Sequence, residues 1–75
     1  MNALIPFTAD ELADMVWLKT GRNPSSIRCQ ALLVVAEFED GSMAIHRIED
    51  LIVGSAMSLR WSPSQYLDAE RRLDS

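Results

Sequence analysis

One cysteine, one histidine and three scattered glycines are all that this chain of 75 residues holds of three chemically versatile residue types. The single thiol, Cys29, excludes a disulfide within the chain. One histidine and one cysteine do not make a common structural zinc site without carboxylates or a partner chain, so no metal and no cofactor are expected. Three isolated glycines cannot form a phosphate-cradling loop. The longest apolar run, "ALLVVA", has six residues, far short of the ~20 that cross a bilayer. No membrane segment is expected. The opening "MNALIPF" has no basic region, and Pro6 interrupts its apolar stretch, so no secretory leader is expected. The expected location is the cytoplasm, where a lone thiol stays reduced.

Basic charge is also scarce. Seven Lys and Arg stand against eleven Asp and Glu, a net charge of −4 and a pI near 4.7. This balance disfavours nucleic acid, which needs a basic footprint. It fits simple solubility, and it fits a protein partner with a basic or mixed surface.

What is present is a hydrophobic content of 48% in a chain that makes one domain, residues 1–75. A domain this small buries only about 60% of the surface its unfolded chain exposes. With disulfides and metals set aside, a homodimer is the remaining common source of extra stability.

Local signals give the elements. In "FTADEL", Thr8 is a helix N-cap and Glu11 closes a capping box, with Phe7 and Leu12 spaced as a hydrophobic staple. Lys19 suits the negative end of the dipole, and Gly21 followed by Pro24 ends the helix, predicted over 8–20. "IRCQALLVVAEF" reads as one strand bounded by turn residues. Its centre, Leu32 to Val35, is apolar on both faces, so a second subunit or a folded-over C-terminus is expected to cover the side that helices leave open. Asp40-Gly41 predicts a two-residue hairpin that pairs Ala36 with Ile45 and Val35 with His46. In that register Phe38, Met43, Ala36 and Ile45 share one face. Residues 49–61 alternate as a third strand bent at Gly54; a helix through Ile48, Ile52, Ser55 and Leu59 is the competing reading. "SPSQYLDAERRL" opens with a second capping box, Ser62 and Gln65, with Pro63 in the first turn. Asp68 and Arg72 are spaced to pair along that helix. The expected fold is therefore α+β: an N-terminal helix, a three-stranded antiparallel meander and a C-terminal helix.

Catalytic signals are weak. His46 has no committed orienting partner, and Cys29 lies far from it in the predicted pairing. No enzyme is expected. Trp17 either covers the edge of the core or anchors a partner. The expected partner-binding residues are Trp17, Trp61 and the acidic set Glu37, Glu39 and Asp40, which would gather at the hairpin end and meet a basic groove. The expected function is that of a small acidic regulator or inhibitor blocking a surface of a larger protein. Short acidic proteins of this kind are common among phage and mobile-element products. The first alternative is a small-ligand or nucleotide-binding dimer using Arg22, Arg28 and His46. The second is nucleic-acid binding through the basic C-terminal helix, where Arg71 and Arg72 lie near Arg60 and Trp61.

Overall fold

The computed structural model describes residues 6–58 and 60–74. Helix α1 (Ala9–Thr20) leads into strands β1 (Ser26–Gln30), β2 (Leu33–Glu37) and β3 (Met43–Arg47), followed by helices α2 (Ile48–Ala56) and α3 (Pro63–Asp74). The strands form one antiparallel sheet in the order β1-β2-β3. The architecture is α+β as expected, with one helix more.

Both helix starts follow their sequence signals. Thr8 Oγ1 accepts the Glu11 N–H at 3.1 Å, and Glu11 accepts the Thr8 N–H at 2.9 Å. Gln65 accepts the Ser62 N–H at 2.7 Å, and Ser62 Oγ accepts the Gln65 N–H at a long 3.4 Å. These reciprocal bonds satisfy amides that a helix start would otherwise leave open.

The strands depart from expectation in three ways. First, the predicted single strand over 27–38 is a hairpin. Gln30 pairs with Leu33, and Ala31-Leu32 form a two-residue turn. Ala31 carries φ of +55°, a conformation that glycine, asparagine or aspartate normally supplies. The turn therefore carries no signature residue.

Second, the β2–β3 register is one residue off. The Phe38 carbonyl accepts the Gly41 N–H at 3.0 Å, and the Phe38 N–H donates to Ser42 O at 2.9 Å. Gly41 has φ of +87°, and Asp40 is not left-handed. This is a three-residue loop, a type I turn closed by a bulge at a left-handed glycine. The Asp40 carboxylate stabilises it by accepting the Ser42 N–H at 3.0 Å and the Ser42 hydroxyl at 2.6 Å. Val34 consequently pairs with His46, Ala36 with Ala44 and Val35 with Ile45. A slip of one residue exchanges faces. Met43 and Ile45, expected beside Ala36, lie on the opposite face with Glu37 and Val35.

Third, the segment expected as a strand over 49–61 is helical through Ala56. Its buried residues, Ile48, Leu51, Ile52 and Ser55, follow the i, i+3, i+4, i+7 spacing of a helix face. Gly54, which argues for a strand on propensity, sits in this helix for a packing reason. A Cβ there would lie 3.1–3.3 Å from the aliphatic stem of Lys19. The glycine lets α1 and α2 approach, at a helix-propensity cost of about 1 kcal/mol. Leu59, the last position of the competing helical pattern, lies outside the described residues.

Both long-range layers meet on one side of the sheet. Leu12, Met15 and Val16 of α1 join Ile48, Leu51 and Ile52 of α2 over Val34, Ala36 and Phe38. Helix α3 packs on α2 and adds Ala69, with Tyr66 and Leu73 half-buried beside it. Arg72 ties α3 to α1 through Glu11 at 2.8 Å. The Cα envelope measures 36 × 34 × 16 Å, a two-layer slab. No helix among the described residues is long and apolar enough to cross a membrane.

Candidate interaction surface

The register assigns each strand residue to a face. Ile27, Val34, Ala36, Ala44 and His46 face the helices, and Cys29 shares that face but is exposed at its edge. The outer face is a grid of three rows across β1, β2 and β3: Ser26–Glu37–Met43, then Arg28–Val35–Ile45, then Gln30–Leu33–Arg47. No element among the described residues packs on it. Ile45 is 63% exposed, Met43 55% and Leu33 40%, with Val35 half-buried at the centre. Leu32, at the end of the first hairpin, is also exposed. These aliphatic side chains leave on the order of 400 Å² of apolar surface, within the range of the largest patch on a typical monomer, which is often functional. A shallow groove of 360 Å³ beside Leu32, Leu33 and Leu73 carries the apolar surface around the end of the sheet.

Charges border this surface and are largely compensated. Arg28 pairs with Glu37 at 3.1 Å on the face itself. Arg47, at the corner, pairs with Asp50 at 3.3 Å and Glu49 at 3.6 Å. Such exposed pairs are each worth at most about 1 kcal/mol, so their importance is in setting local charge rather than in stability.

The predicted acidic set is divided by the fold. Glu37 belongs to the outer face. Asp40 is engaged in the loop, held to Arg22 at 3.1 Å, and Arg22 lies over the Phe38 ring at 4.1 Å. Hydrogen bonds from the Ser42 hydroxyl and amide, then the Arg22 charge, hold the Asp40 carboxyl below its usual range. Glu39 is exposed at the tip and has no ion pair among the described residues. Thus only Glu39 presents an uncompensated charge there.

The two tryptophans lie in the helical layer, away from the sheet face. Arg60 stacks over Trp17 at 3.9 Å, and Trp17 is half-buried. Trp61 is also half-buried and lines a cleft of 270 Å³ with Phe7, Glu11, Asp14 and Arg72. That cleft lies along the first half of α1, whereas the hairpin loop is tied to Arg22, just past its end. A 12-residue helix spans about 18 Å, so Trp61 and Glu39 do not make one patch.

The residues of the ligand-pocket alternative do not converge. Arg28 points outward, His46 points inward, and Arg22 is committed to the hairpin loop. His46 Nε2 is buried without a hydrogen-bond partner. Burial, then the charge of Lys19, holds the His46 pKa below its usual value, with Asp50 opposing weakly. Cys29 and His46 share a row with Val34 between them, closer than the predicted pairing allows. Two strand spacings of about 4.8 Å still separate them, beyond hydrogen-bond reach. Cys29 is exposed, and partial desolvation of its thiol pushes the pKa up, against nucleophilic use at neutral pH. Among the described residues, no group of three or more His, Cys, Asp or Glu is placed to hold a metal. The basic end of α3 is mostly committed too: Arg72 binds Glu11 and Asp68.

Sequence reasoning missed Met43 and Ile45 as surface residues, because the slipped register assigned them to the Ala36 face. The signal that found the other half was the run Leu32 to Val35, apolar on both sides. No protein family, curated protein or solved structure matches this chain.

Proposed function

We propose that this chain is a non-enzymatic protein-binding module whose docking surface is the outer face of the sheet. The observation that carries the reading is the bare aliphatic face around Val35, Leu33 and Ile45 on a domain whose helices all pack on the other side. A patch of this size costs free energy to leave wet, on the order of 25 cal/mol per Å², and a partner recovers that cost. The module acts as a regulator or inhibitor by occupying a surface of a larger protein. Glu39 at the hairpin tip favours a partner with basic groups at the rim, which affects encounter rate more than affinity.

The test compares two baits in capture from the native host: wild type and Ile45→Lys, each first shown to be folded by circular dichroism. A protein held by wild type and lost by Ile45→Lys is the expected result. Equal capture by both baits, with loss on Trp17→Ala or Trp61→Ala, would place docking in the helical layer and sink the reading.

A further inference from the structure

We infer that in the isolated protein the outer sheet face is covered by a second copy of this chain, packed face to face. The inference rests on the reading of that face as a docking surface, and it names the occupant.

Self-complementarity carries it. A two-fold axis between facing sheets must lie in the plane of the interface, and it relates the two grids by reflection. About a diagonal, positions meet to within about 3 Å, since strands lie about 4.8 Å apart and same-face residues about 6.7 Å. With the axis along the diagonal Ser26–Val35–Arg47, Val35 meets Val35, and Ile45 of each copy meets Leu33 of the other. The same operation brings Glu37 of each copy onto Arg28 of the other, and Met43 onto Gln30. Apolar groups thus meet apolar groups at the centre. The Arg28–Glu37 pair of each copy, 3.1 Å apart within the chain, meets that of the other in opposite order, so each charge gains a second opposite neighbour. Arg47 meets its own copy only at the corner, where Glu49 and Asp50 neutralise it. An axis along the strands puts Ile45 against Arg28, and an axis across them puts Glu37 against Leu33. The diagonal therefore wins, and it crosses the strands of the two sheets at a steep angle, in the manner of orthogonal sheet packing.

Area and charge permit the contact. Two such faces with their polar rims bury on the order of 1,200 Å², the lower end for a specific, stable interface. Each chain carries a net charge of −4, but the docking face holds two arginines and one glutamate, so the acidic character lies elsewhere. Among the described residues α3 packs on α2 and reaches only the end of this face, through Leu73 beside Leu33, and so the C-terminal helix is not the cover.

The test is solution mass by sedimentation equilibrium from micromolar to submillimolar concentration, on the full chain. Wild type should approach twice the 8.4 kDa chain mass. Ile45→Lys should stay at the monomer mass with an unchanged circular dichroism spectrum. Arg28→Glu and Glu37→Arg should each be monomeric alone, through like charges at the interface, and should form a one-to-one dimer when mixed. A wild type that is monomeric throughout overturns the inference, as does a dimer that survives Ile45→Lys or charge variants that do not re-associate on mixing. If wild type is monomeric and yet Ile45→Lys abolishes capture of another protein, the docking surface stands and only its occupancy by a second copy falls.

Discussion

Along β2 the two faces of this sheet carry similar aliphatic residues and have opposite fates. Val34 and Ala36 of β2 are fully buried under α1 and α2, whereas Leu33 and Val35, one residue away along the same strand, face outward. Composition does not distinguish them. What distinguishes them is that every helix connection in this short chain returns to the same side. An antiparallel sheet can leave one face to water, but it then normally presents polar residues there. Here the open face is polar along β1 and at Glu37 and Arg47, and aliphatic over the rest of β2 and β3. The inner face builds the fold, and the outer face is the surface on which the proposed docking rests.

The largest test of that division is Leu51→Ala. Leu51 is fully buried in α2 against the inner face. Truncation leaves a cavity and should cost about 3 kcal/mol. A domain of this length has about 4–11 kcal/mol in total, so urea unfolding should shift to a much lower midpoint. An unshifted midpoint would mean that the helical layer is not the core.

Next is Ser55, the one polar residue among the described residues that the inner side buries completely. Its hydroxyl has no hydrogen-bond partner. Ser55→Ala removes an unsatisfied group and improves helix propensity, and should raise stability by about 1 kcal/mol in the same measurement. A loss instead would reveal a partner, such as an ordered water, that holds the hydroxyl.

Smaller is Ala31→Gly, at the hairpin turn that connects the two strands and sets which residues reach each face. The φ of +55° strains alanine, while glycine adopts it freely but loses more chain entropy. The net gain should be about 0.5 kcal/mol by chemical denaturation.

The inner face also holds the one histidine, and its effect appears as pH dependence. The folded state holds the His46 pKa below the ordinary value, so protonation favours the unfolded chain. The contribution is therefore fully present above the ordinary histidine pKa and is lost as pH falls through the folded one. Lys19 and Asp50 set the local field. His46→Gln should flatten the melting temperature between neutral and mildly acidic pH, and an unchanged slope would assign the dependence to carboxylates such as Glu11.

Much of this was legible in the chain, and the gaps have physical causes. Both capping boxes declared their helices because side chains and backbone there satisfy each other locally. The Ala31 turn was invisible because tertiary pairing of β1 with β2 imposes a left-handed alanine that no local preference supplies. Helix α2 was misjudged because Gly54 and two serines weigh against a helix locally, while the contact with Lys19 that explains the glycine is long-range. The open sheet face was half legible: Leu32 to Val35 announced an uncovered face, but Asp40-Gly41 supports two loop lengths, and the choice between them decides whether Ile45 is core or surface.

Ile45→Thr gives the smallest effect and the sharpest comparison. Threonine keeps the β-branched shape that suits a strand, so in dilute solution, with the outer face bare, the substitution should change stability by less than about 0.5 kcal/mol. The wild-type melting temperature should rise with protein concentration as a second copy covers Ile45, because association stabilises only the folded chain. The variant should lose most of that rise. Parallel concentration dependence in the two proteins would break the comparison at its root, since Ile45 would then be as idle in association as it is in folding.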